Sequence, residues 1–64
     1  MTNSEIERLI DEHISGLHAA RNRQILKRRL IDGICFEPLA EEFDLSVRQV
    51  KNIVYRGQDK LFRR

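Results

Sequence analysis

FEPLAEEFDLSVRQVKNI, the stretch from Phe36 to Ile53, predicts two short helices joined by a tight turn. Pro38 falls in a first helical turn, where the N–H that proline lacks would have no partner. Leu39, Ala40 and Phe43 form the inward face of the first helix, Pro38 to Phe43, and the small Ala40 lets a second helix cross closely. Asp44-Leu45 is the turn, with Leu45 pointing back into the core. Ser46 opens the second helix, and Gln49, three residues on, completes a capping box in which each side chain satisfies the other residue's free backbone N–H. Val50, Ile53, Val54, Gly57 and Leu61 follow at steps of three, one, three and four, the apolar stripe of one helix. Turn, cap and stripe together predict a helix-turn-helix, whose second helix fits the major groove of DNA.

At about 100° per residue, Arg48, Asn52, Tyr55 and Asp59 point opposite that stripe, with Lys51 and Arg56 beside them. Arginine reads guanine edges, asparagine reads adenine edges, and lysine and arginine also hold phosphates. Residues near the start of a recognition helix usually meet the bases. Arg48 and Asn52, with Lys51 beside them, are therefore the expected base readers. Val47 would meet a thymine methyl or pack inward, and Tyr55, Arg56 and Lys60 suit the backbone. Asp59 would repel phosphate and so marks the end of the footprint. A solvated basic helix face is the plainer alternative for these residues.

The formal net charge is only +2, but its distribution is uneven. Glu5, Glu7, Asp11 and Glu12 against Arg8 leave residues 1–20 at −3. Residues 21–44 balance, and residues 45–64 carry six bases against Asp59, a net +5. The positive surplus thus coincides with the proposed reading helix, as an electrostatic footprint for a polyanion should. Arg21, Arg23, Lys27, Arg28 and Arg29 make a second basic run, which either flanks the same duplex or pairs with Glu37, Glu41 and Glu42.

From Arg21 to Arg64 the chain resembles region 4 of bacterial RNA polymerase sigma factors. The text that carries the resemblance is RNRQILKRRLIDGICFEPLAEEFDLSVRQVKNIVYRGQDKLFRR. It has an Arg-rich helix (Arg21 to Ile31), an Asp32-Gly33 turn, Phe36, a helix ending in AEEF, a DLS turn, a helix of the RQVKNI kind and a basic end. The resemblance implies recognition of the upstream (−35) promoter element through the second helix, with Val47, Arg48, Lys51 and Asn52 at the base-contacting positions. It also implies docking on the flap of RNA polymerase. Val47 departs from the arginine that many housekeeping members carry there, which implies a different target sequence. The part that melts and holds the −10 element has no counterpart in 64 residues, so the resemblance implies a free-standing region-4-like module.

The N-terminal segment, residues 4–18, predicts one more amphipathic helix, from Ser4 to Leu17, with a Ser4–Glu7 capping box. Ile6, Leu9, Ile10, Ile14 and Leu17, with His13 between them, form its stripe. Fully buried, those five aliphatic side chains are worth about 7–15 kcal/mol gross, too much to leave in water. The stripe is expected to fold onto the Arg21–Ile31 helix, and the alternative is a homodimer through the same five residues. Ile25, Leu26 and Leu30 face the core from the second helix, and Arg29 is expected to pair with Glu41 or Glu42.

Sixty-four residues make one small domain, 41% hydrophobic and 34% charged, without strand-like alternation. The expected fold is all-α, a small bundle of four to five helices. No apolar run approaches the roughly 20 residues that span a membrane, and the acidic, polar start MTNSEIERLI is unlike a signal peptide, so a cytoplasmic protein is expected. The single Cys35 excludes an internal disulfide and is expected to fill a small apolar space. His13, as an edge residue of the stripe, His18 and Cys35 have no metal-ligand spacing. No cofactor loop and no nucleophile–base set can be assembled, so no enzymatic activity is expected.

The leading expectation is a sequence-specific DNA-binding regulator of transcription. Two others stand beside it: a protein-interaction module for RNA polymerase or an anti-sigma-type partner, and a DNA-packaging or recombination accessory protein of a phage or mobile element.

Overall fold

Thr2 opens the first helix of the computed structural model, which describes residues 2–62 as four α-helices. These are α1 (Asn3–His13), α2 (Ala19–Leu30), α3 (Phe36–Glu42) and α4 (Val47–Phe62), with no strand among the described residues. The Thr2 hydroxyl accepts from the Glu5 N–H at 3.2 Å while the Glu5 carboxylate accepts from the Thr2 N–H at 3.4 Å. The capping box is therefore Thr2–Glu5 and not Ser4–Glu7. Both pairs have the required spacing, and the earlier one begins the helix.

The far end of α1 also departs from expectation. Ile14 leaves the helix in an extended conformation (φ −93°, ψ 109°), and Gly16 takes φ +105°, a value that favours glycine. The stripe therefore breaks before its last member. Leu17 is 93% exposed, and His13 is exposed where an edge position was expected. Ile10 and Ile14 are buried in the chain's own core, and Ile6 and Leu9 pack against it half-buried. Arg23 of α2 holds the chain where α1 ends, its Nε donating to the Ile14 carbonyl at 2.8 Å.

The core joins all four helices: Ile10 and Ile14, Ile25 and Leu26 of α2, Leu39 and Ala40 of α3, and Val50, Val54 and Leu61 of α4. α4 packs against each of the other three. Gly57 makes its contact with α2 possible, since a Cβ there would stand 2.5 Å from Leu26 Cδ1. Leu30, Ile34, Phe36, Phe43, Leu45 and Ile53 pack around this centre, half-buried.

The link between α3 and α4 is closed by backbone chemistry. Asp44 adopts φ +55°, its N–H donates to the Glu41 carbonyl at 3.3 Å, and the Leu45 N–H reaches the Ala40 carbonyl at 2.8 Å. That pair of bonds is a Schellman ending, which satisfies carbonyls left over at a helix terminus and turns the apolar residue after it inward. Leu45 packs against the core accordingly. Ser46 and Gln49 then form the expected box: the Gln49 N–H donates to Ser46 Oγ at 3.1 Å and the Ser46 N–H to Gln49 Oε1 at 2.9 Å.

Two side chains depart from expectation near α3. Glu42 pairs with Arg28 (Nε to Oε2, 2.8 Å), whereas Arg29 donates from Nη1 to the Ile34 carbonyl at 3.2 Å. Neighbouring residues on a helix point about 100° apart, and α2 turns Arg28 toward α3. Cys35 is exposed rather than a core filler, because it lies in the non-helical N-cap position of α3 with Phe36 taking the inward place.

Candidate nucleic-acid interface

α4 is amphipathic over its whole length. Val50, Val54, Gly57 and Leu61 are buried on one side. Arg48, Lys51, Asn52, Tyr55, Arg56 and Lys60 are all exposed on the others. The helix is thus anchored by its aliphatic ridge, and its polar groups meet solvent. Val47 divides from this set: it is half-buried and packs against the core. Arg63 and Arg64, which add to the positive surplus, lie outside the described residues.

Side chains from three helices meet beside the exposed face of α4 in an arrangement that the sequence did not reveal. The Arg29 guanidinium of α2 lies 4.6 Å from the centre of the Phe36 ring of α3. Lys51 Nζ of α4 lies 5.7 Å from the same centre, and the Tyr55 ring meets Phe36 edge-on at 6.1 Å with 69° between planes. A ring quadrupole attracts cations to its face and aromatic edges to its π cloud. Phe36 therefore links two exposed α4 residues to the body of the protein. No periodicity in the sequence marks this contact.

A second feature lies further along α4. Its later turns and the start of α2 flank a cleft of about 570 Å³. Asn52, Arg56 and Lys60 line one wall, His18 and Arg21 the other, and Leu26 and Gly57 lie between. Asn52 belongs both to this cleft and to the exposed face begun by Arg48, four residues earlier.

Among the described residues no group of His, Cys, Asp and Glu is placed to hold a metal ion, and no helix is long and apolar enough to cross a membrane. Comparison with protein-family models, with curated proteins and with solved structures returned no match.

Proposed function

We propose that the protein binds double-stranded DNA sequence-specifically as a transcriptional regulator, with α3 and α4 acting as a helix-turn-helix. In this reading α4 enters the major groove as sigma region 4 does at the upstream promoter element. Arg48 and Asn52 read base edges, Lys51 assists them, and Tyr55, Arg56 and Lys60 follow the backbone. The observation that carries the reading is the exposure of Arg48, Lys51 and Asn52 on a helix fixed from behind by Val50 and Val54. Burial of Ile10 and Ile14 in the chain's own core, with Ile6 and Leu9 packed half-buried against it, supports binding by a single copy to an asymmetric site, in place of the homodimer.

Affinity for a short promoter-bearing duplex, measured against salt, tests this reading. Neutralising about five phosphates gives a log–log slope near −4 to −5. Salt-independent binding, or none at low salt, contradicts it. A second reading, a module that contacts RNA polymerase or an anti-sigma-type partner, draws on two exposed apolar side chains, Leu17 at 93% and Phe62 at 45%. Capture of purified polymerase without any shift of duplex at low salt would favour it.

A further inference from the structure

The second basic run, Arg21 to Arg29, separates in the fold into residues that hold the protein together and one that does not. Arg23 is bonded to the Ile14 carbonyl. Lys27 lies 3.0 Å from Asp11 and 3.7 Å from Glu7 of α1. Arg28 pairs with Glu42, and Arg29 is held by the Ile34 carbonyl and the Phe36 ring. Arg21 differs: its hydrogen bond goes only to the adjacent Asn22, from Nε to Oδ1 at 3.3 Å. Among the described residues no carboxylate pairs with it.

Arg21 lines the cleft opposite Arg56 and Lys60, neither of which has an ion pair among the described residues. Asp59, expected to end the footprint by repelling phosphate, also lines the cleft, but its single negative charge is outnumbered there by Arg21, Arg56 and Lys60. Three cations converging from two helices favour an anion with several oxygens. Arginine's planar fork suits the two free oxygens of a phosphate group. Asn52 makes the cleft continuous with the reading face.

We propose that this cleft seats one phosphodiester of the DNA backbone, just beyond the bases met by Arg48 and Asn52, with Arg21 reaching it from α2 and Arg56 and Lys60 from α4. The inference rests on the DNA-binding reading and extends it from one helix to two. It gives Arg21 a part in affinity and none in base preference. The duplex must therefore continue past the read bases on the side where α4 ends.

Salt titration of the full chain on one selected duplex tests this, comparing the unaltered protein with Arg21→Gln, Lys60→Gln, the double variant and Arg8→Gln. Arg8 lies on α1, exposed and outside the cleft, so its substitution removes the same charge elsewhere. Loss of one phosphate contact makes the slope shallower by about 0.9, so the affinity gap to the unaltered protein narrows about threefold between about 50 and about 200 mM salt. Arg21→Gln and Lys60→Gln should each show this, the double variant should lose little more than either, and Arg8→Gln should leave the slope unchanged. The ranking of duplex sequences should stay the same. Should Arg21→Gln fail to fold, Lys60→Gln carries the test from the other wall. Unchanged slopes in both cleft variants, with Arg48→Ala still weakening the selected duplex, overturn the cleft and leave the reading helix standing. Additive slope losses overturn the shared phosphate. No binding of any duplex at low salt overturns both.

Discussion

Gly57 of α4 lies so close to Leu26 of α2 that a methyl group on it would stand 2.5 and 2.6 Å from the two Leu26 Cδ atoms and 3.0 Å from Cγ. Leu26 is fully buried and cannot swing into solvent. This contact fixes how near the exposed helix sits to the body of the protein, and it forms part of the floor of the basic cleft.

Gly57→Ala therefore sets two effects against each other. Alanine favours the helix by about 1 kcal/mol, while overpacking a close contact costs about 1–3 kcal/mol. The expected result in chemical denaturation is a net loss of about 1 kcal/mol. Made in a Leu26→Ala background, where the methyl has room, the same change should stabilise. A loss in both backgrounds would show that the Leu26 contact is not the cause.

Asp44→Gly is expected to raise stability by about 0.5–1 kcal/mol, because glycine adopts the observed φ of +55° without steric cost. Asp44→Val, β-branched at the same φ, should lower it by about 1–2 kcal/mol. Thermal melts of the two variants check the opposite signs.

Arg23 and Lys27 both connect α2 to α1 or its end, yet their removal should differ. Arg23 gives a charged hydrogen bond to a backbone carbonyl in a half-buried place, and Arg23→Met should cost about 1–3 kcal/mol. Lys27 is half-buried, but its partners Glu7 and Asp11 are exposed, so Lys27→Ala should cost no more than about 1 kcal/mol, with salt reducing even that. Urea denaturation of each variant decides the order.

The ring of Phe36 is expected to couple measurably to Tyr55. A double-mutant cycle with Phe36→Leu and Tyr55→Leu should give about 0.5–1.5 kcal/mol for the edge-on contact. Additive losses would mean that the two rings do not stabilise each other.

These contacts also show why some of the architecture could be read from the sequence and some could not. α4 was legible because its apolar spacing is regular over three turns and Ser46–Gln49 is a local, reciprocal signal. The end of α1 was not, since Leu17 continues the spacing while Gly16 turns the backbone away. The start of α1 offered two equivalent boxes, Thr2–Glu5 and Ser4–Glu7. Arg28 and Arg29 are adjacent, and only the rotation of α2 against α3 decides which meets Glu42. For the candidate site, exposure of Arg48, Lys51 and Asn52 followed from helical period alone. The approach of Arg21 to Arg56 and Lys60 depends on how two distant helices pack, which no local pattern encodes.

Selection of bound duplexes from a random pool, run with the unaltered protein, Arg48→Ala and Asn52→Ala, tests the role of the α4 face most directly. The expected result is one asymmetric site, with each substitution relaxing preference at its own position by about 1–3 kcal/mol. Selected sites that stay the same in both variants would contradict base reading by this helix.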